Sequence, residues 1–203
     1  MKPLYTIGHS SHELPRFLEL LQKHGINEVA DVRSQPYSKH TPWFNRDSLE
    51  RAFKVADIRY VFLGRELGAR RDESNCYIGG KVNYDRIAKA EAFRAGLTRL
   101  EQDCVSSTLA LMCAEKDPLD CHRTVLVSRH ATAFTKIIHI RADGSLEPHA
   151  DLEHRMRRMY GLFDSDLFIP PEAQLAEAYT RRGDEIAYVE QEQTATHGGA
   201  AFT

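Results

Sequence analysis

The chain has 203 residues, enough for one well-packed domain with an appended segment and too few for two large ones. Its 42% hydrophobic and 28% charged residues suit an ordinary globular protein, and a formal net charge of −2 argues against a broad basic nucleic-acid face, leaving a local patch as the only such possibility. No run reaches the roughly 18 uncharged apolar residues of a membrane span, and the start MKPLYTIGHS lacks a signal-peptide apolar core, so a cytoplasmic protein with no membrane partner is expected.

Leu4–Ile7 is a β-prone run ending at Gly8, followed by His9 and Ser10. Leu14, Phe17, Leu18 and Leu21 then recur at helical spacing up to Gly25, with Pro15 in the first turn where its missing N–H costs little. Val29–Val32 makes a second strand ending in Arg33-Ser34. Gln35 to Asn45 carries Pro36, Pro42 and the single Trp43 without either period, and reads as a long loop of the kind that is often functional. Asp47-Ser48-Leu49-Glu50 has a capping pattern for a helix to about Ala56, and Tyr60–Leu63 is a third strand stopping at Gly64-Arg65-Glu66-Leu67-Gly68. Ala69 to Lys81 is polar and Gly-rich, an irregular excursion. A helix over Tyr84–Glu101, a strand over Thr108–Met112, a helix over Cys121–Phe134 and a strand over Lys136–Ile140 follow.

Strand and helix thus alternate, which predicts an α/β fold: a doubly wound, mostly parallel five-stranded sheet with helices on both faces. This domain spans 1–150. Residues 151–190, with a basic stretch at Glu153–Arg158 and a polar helix at Glu172–Arg182, form a C-terminal helical extension, and the Gly-, Ala- and Thr-rich tail 191–203 is expected to be disordered.

In such a sheet ligands bind outside the carboxyl ends of the strands. Residues distant in sequence therefore converge there: His9 and Ser10 after the first strand, Arg33 and Ser34 after the second, Arg65 after the third, Cys113 and Glu115 after the fourth. Cys121, His122 and Arg123 open the next helix. A helix start offers free N–H groups and positive dipole, and three arginines would add donors matched to carboxylate or phosphate, so an anionic ligand is expected. A thiol at that helix start beside His122 and Arg123 has several reasons to ionise, and a thiolate is a nucleophile or a metal ligand. Cys113 would be its partner thiol, with Glu115 or His122 as acid or base.

Plainer roles compete with these. The four cysteines, Cys76, Cys104, Cys113 and Cys121, are too few and unevenly placed for a disulfide framework. Cys76 and Cys104 read as packing, and Cys113 taken alone reads as core. Asp120 could simply cap a helix, with Arg123 in solvent. The Cys113–Cys121 spacing fits no zinc finger or knuckle, and Walker A, GxGxxG and the phosphatase Cys-five-Arg loop do not occur.

Thr6-Ile7-Gly8-His9-Ser10, Asp31-Val32-Arg33-Ser34 with Pro36, Gly64-Arg65-Glu66-Leu67-Gly68, and Cys113-Ala114-Glu115 leading to Cys121-His122-Arg123 resemble successive motifs of the family catalogued as domain of unknown function 488. His139-Ile140 with Gly144 is similar to its last strand, so the likeness runs from Met1 to His149. It implies an α/β domain, bacterial or archaeal in typical occurrence, with no agreed activity. It also implies that His9, Arg33, Arg65, Cys113, Glu115, Cys121, His122 and Arg123 share one site.

The leading expectation is a cysteine-dependent transferase or hydrolase acting on an anionic small molecule or nucleotide-like substrate, with the cofactor left open. One alternative is a nucleotide or nucleic-acid binding module whose arginines hold phosphate while the cysteines pack. The other is a metal site on Cys113 and Cys121 with His9 or His122 as a third ligand. The sequence does not speak to the oligomeric state.

Overall fold

The structure is a computed structural model, and it describes residues 1–162 and 169–190. In chain order the elements are β1 (Leu4–Gly8), α1 (Leu14–Lys23), β2 (Glu28–Asp31), α2 (Arg46–Val55), β3 (Arg59–Phe62) and the single turn α3 (Gly64–Leu67). A small hairpin, β4 (Tyr77–Ile78) and β5 (Lys81–Val82), precedes α4 (Tyr84–Ile87), α5 (Glu91–Ser106) and β6 (Leu109–Cys113). A π-helical stretch, Arg123–Ser128, runs into α6 (Arg129–Ala131), then come β7 (Ile137–Ile140), β8 (Leu146–Pro148), α7 (His149–Met159) and α8 (Pro171–Ile186).

The main sheet has the order β3-β2-β6-β1-β7-β8, parallel except for β8, which runs antiparallel to β7. The α/β fold with its mostly parallel sheet is as the alternating pattern predicts. β8 is a sixth strand that the sequence did not reveal, because its three residues are too few to show a period. β6 lies at the centre and is buried at every residue, which is why LALMC reads as continuously apolar. Its side chains alternate: Leu109, Leu111 and Cys113 enter the core under α5 and the π-helix, while Ala110 and Met112 join Phe17, Leu20 and Phe53 of α1 and α2 on the other face. The chain therefore leaves β1 toward one face and the neighbouring β6 toward the opposite face, and the crevice between them opens at the carboxyl edge.

Three local expectations need correction. The Tyr84–Glu101 helix is two helices, broken where Ala90 takes extended backbone so that Ile87 and Phe93 both reach the core. The 69–81 excursion contains the β4–β5 hairpin, held by tight glycines at Gly79 and Gly80. Cys121 itself is extended (φ −137°, ψ 141°), one position before the helix proper. The expected extension appears as α7 and α8, packed on each other, with α7 against β7 and β8 and α8 against the π-helix. The tail 191–203 lies outside the described residues. Among the described residues no helix is long and apolar enough to cross a membrane.

Candidate metal centre

The end of β6 is zipped to the loop after β1. Gly8 pairs with Cys113, His9 N–H donates to Cys113 O (2.9 Å) and Ser10 N–H to Ala114 O (2.8 Å). Ser10 makes this turn at φ 48°, a left-handed conformation unusual for a residue with a side chain. Cys113 thereby sits at the rim of the sheet with its sulfur toward the π-helix side.

Eight residues later a short turn, Pro118–Asp120, delivers Cys121 at the helix start, where the Thr124 N–H donates to Cys121 O (3.0 Å). The Arg123 N–H donates to Cys121 Sγ (3.4 Å), so the sulfur takes the place of an N-cap oxygen. His122 turns inward between strands. Its Nε2 lies 3.0 Å from Val32 O, and since a carbonyl only accepts, Nε2 carries the proton and Nδ1 presents a lone pair. That lone pair faces both sulfurs, at 3.8 Å from Cys113 Sγ and 3.8 Å from Cys121 Sγ.

The three ligand atoms lie within 4.8 Å of one another, and all three residues are buried. Among the described residues no other group of three His, Cys, Asp or Glu side chains gathers in this way. A tetrahedral zinc ion at ordinary bond lengths holds its donors roughly 3.5–3.8 Å apart, and the two nitrogen–sulfur separations of 3.8 Å are close to that. Burial alone would raise the Cys121 thiol, but donation from the Cys113 S–H and then the Arg123 charge hold it well below its ordinary range. Cys113 moves the other way, because its hydrogen bond to Cys121 and its burial both favour the thiol. The two thiols are thus pushed in opposite directions, Cys121 toward the thiolate and Cys113 toward the thiol. Glu115 is raised by burial and by the Cys121 charge.

Above this cluster lies a cavity of about 320 Å³. Of the residues singled out from sequence, Arg33, Ser34, Cys113, Glu115, Cys121 and His122 line it. His9 and Arg123 are buried and do not line it. Arg65 is exposed and lines a neighbouring cavity of about 400 Å³, which shares Ser34 and Arg70 with the first, while Ser10 lines neither.

The arginines expected to grip an anion are largely engaged within the fold. Arg33 Nε donates to Asp31 Oδ1 (2.9 Å), Nη2 to Asp31 Oδ2 (2.6 Å) and Phe44 O (2.8 Å), and Nη1 to His9 Nε2 (3.1 Å). Arg123 is wholly buried and donates through Nη1 to Glu115 O (2.8 Å), fixing the loop between the two cysteines. The exposed guanidinium on the cavity wall is Arg70, whose N–H donates to Ser34 Oγ (2.9 Å) and whose Nη1 donates to Gln35 Oε1 (3.0 Å).

Sequence reasoning missed Arg70, Tyr37, Tyr84 and Tyr188 on this wall. Tyr37 falls in the long loop already suspected of function, which was the available signal. Tyr188 gave none, since its place depends on a contact between segments about a hundred residues apart.

The family model described as Domain of unknown function DUF488 matches residues 13–130, a span that contains every site residue above except His9, Ser10 and Tyr188. No curated protein and no solved structure matches the chain.

Proposed function

Because the chain belongs to the DUF488 family, whose description carries no activity, we propose its function from the site itself: Cys113, Cys121 and His122 bind a zinc-class divalent metal ion at the floor of a small-molecule pocket. The observation that carries this reading is the His122 ring. Its Nε2–H is fixed on the Val32 carbonyl, so its Nδ1 lone pair points between the two cysteine sulfurs, 3.8 Å from each. A backbone partner that sets the tautomer of a ligating histidine is the usual support for a metal site. Two thiolates and an imidazole suit zinc better than harder ions.

Three protein donors leave a fourth position, the arrangement of catalytic rather than structural zinc. When bound, the ion would supply Lewis acidity or an activated water toward the cavity. Arg70 at the wall and Arg65 in the adjoining cavity favour an anionic ligand.

The test is elemental analysis of protein purified without added metal, followed by cobalt substitution. One equivalent of zinc and a thiolate-to-cobalt charge-transfer band are expected. Cys113→Ser, Cys121→Ser and His122→Ala should each weaken binding on the order of 100-fold or more, since even supporting residues of such sites cost up to that much. Protein that neither carries nor takes up stoichiometric metal defeats the reading.

A second reading has its own support: the Cys121 thiolate at a helix start, receiving the Arg123 N–H, is poised as a nucleophile. Under it, metal-free protein is alkylated at Cys121 much faster than free cysteine near pH 7, and cobalt gives no protection. Under the metal reading, cobalt blocks the reaction.

A further inference from the structure

The cavity wall opposite the cysteines is built by the C-terminal extension. After α8 ends at Ile186 the chain runs extended along β5: Val82 N–H donates to Tyr188 O (2.9 Å), Lys81 bridges Val189 in antiparallel fashion, and Glu190 N–H donates to Gly80 O (2.9 Å). This strap fixes Tyr188, over whose ring the Arg70 guanidinium lies at 4.4 Å from the centroid. Tyr188 and Ile186 line the cavity together with Tyr37 and Tyr84.

Three phenol rings around one cavity are more than packing requires. Tyr37 is 68% exposed and sits at the mouth of the cavity it lines. Tyr84 is buried, and neither it nor Tyr37 or Tyr188 directs its hydroxyl to a described residue. Buried or pocket-lining phenols ordinarily find a partner for the O–H. The cavity is of ligand size and its wall is mixed, the three rings and Ile186 standing with polar groups of Arg33, Gln35, Arg70 and Glu115, so that a ligand there meets aromatic surface and polar partners together.

From this wall we infer that the ligand of the centre is a planar ring compound bearing a metal-binding group, with Tyr188 as the residue that selects for the ring. The inference rests on the metal reading above and names the ligand class. Tyr188 lies beyond residues 13–130 matched by the family model, whereas Tyr37 and Tyr84 lie within them. Arg70 holds the Tyr188 ring from one side and the core packs against it, which fixes the ring at the cavity wall. The unengaged hydroxyls of Tyr37 and Tyr84 meet the polar edge of the ring.

The experiment compares two probes that bind metal through the same group, benzohydroxamate and acetohydroxamate, titrated into the cobalt-loaded protein and followed by its visible bands. The aromatic probe should bind about ten-fold more tightly or better, since ring contact adds to simple area burial. Tyr188→Ala should bring the two affinities together by weakening benzohydroxamate alone, and Tyr188→Phe should retain the preference. Equal affinities in the wild type, or a Tyr188→Ala protein that loses both probes alike, would overturn the inference. Failure to load cobalt defeats the metal reading instead. Ring selection is then read without metal, as the rate of Cys121 alkylation by iodoacetanilide over iodoacetamide, normalised to free cysteine; a ratio of one there counts against it.

Discussion

At the residue scale, Asp31 governs the floor beside the centre. It is fully buried at the end of β2, and a carboxylate there demands partners. Arg33, two residues on and so on the same side of the chain, supplies two hydrogen bonds from its guanidinium and one from its backbone N–H, and Tyr60 O–H a fourth at 2.8 Å. The remaining Arg33 donor ends on His9 Nε2, while His9 Nδ1–H donates to Ser10 O (3.0 Å) and its ring stacks on Phe44 at 4.3 Å. Both ring nitrogens are therefore satisfied only in the neutral form. Burial, and then the Arg33 charge, lower the His9 pKa to about 4. A folded-state value below the unfolded one gives stability that is fully present above about pH 6.5 and is lost as pH falls toward 4. The loss by pH 4.5 is about 2–3 kcal/mol. Urea denaturation at pH 7 and pH 4.5 should show His9→Gln, which keeps an acceptor for Arg33 but takes no proton, shedding most of that difference. Equal acid sensitivity in both proteins would place the responsible proton elsewhere.

At the level of elements, the site depends on how closely β1 and β6 end together. A Cβ on Gly8 would stand 1.8 Å from the Glu115 carbonyl oxygen, a backbone atom that Arg123 also holds. Gly8→Ala should cost about 3 kcal/mol or more by forcing the two loops apart, and should weaken cobalt binding with it. Gly25→Ala is the control: its φ of 64° is strained for alanine, yet nothing lies within 4 Å, so about 1 kcal/mol and no change at the metal are expected from a thermal melt and cobalt titration. Much of this was legible. β1, β2, β3, β6 and β7 stand out in the sequence as short β-prone runs, β6 most clearly because a strand buried at every residue is apolar throughout, and parallel order then puts Cys113 and Cys121 at one edge. The π-helix was not legible. Arg123–Ser128 is buried at every position, so its periodicity is erased, and within the stretch the Ser128 O–H donates back five residues to Arg123 O (2.7 Å). The roles of Arg33 and Arg123 were hidden for a related reason. Sequence gives a guanidinium its place but not its partners, and buried carbonyls and Asp31 claim it before any ligand does.

For the whole molecule, the decisive contact joins the extension to the sheet. Thr6 Oγ1 donates to His139 Nδ1 (2.7 Å), His139 Nε2 to His149 Nδ1 (2.9 Å), His149 Nε2 to Tyr179 Oη (2.9 Å), and Tyr179 O–H to Glu153 Oε1 (2.7 Å). Each group donates once along the line, a consistent order only if both histidines are neutral. Burial, the largest cause, lowers both from their ordinary values, so the chain is intact above that range and is disrupted as pH falls below it. The same helix reaches the cysteine loop, where Arg182 Nε donates to Leu119 O (3.0 Å) and Arg182 pairs with Asp120. Docking of α8 therefore positions the strap that carries Tyr188. Tyr179→Phe removes the acceptor of His149 and the donor to Glu153 with almost no change in volume, and should cost about 1–3 kcal/mol for the groups left unsatisfied. That loss should be local. Amide exchange should quicken over Pro171–Glu190 while β1, β2 and β6 keep their protection, cobalt should bind as before, and the preference for benzohydroxamate should shrink because its wall is no longer held. Faster exchange spread evenly through the sheet would mean that the extension and the sheet unfold as one unit, and that the pocket wall has no independent hinge at α8.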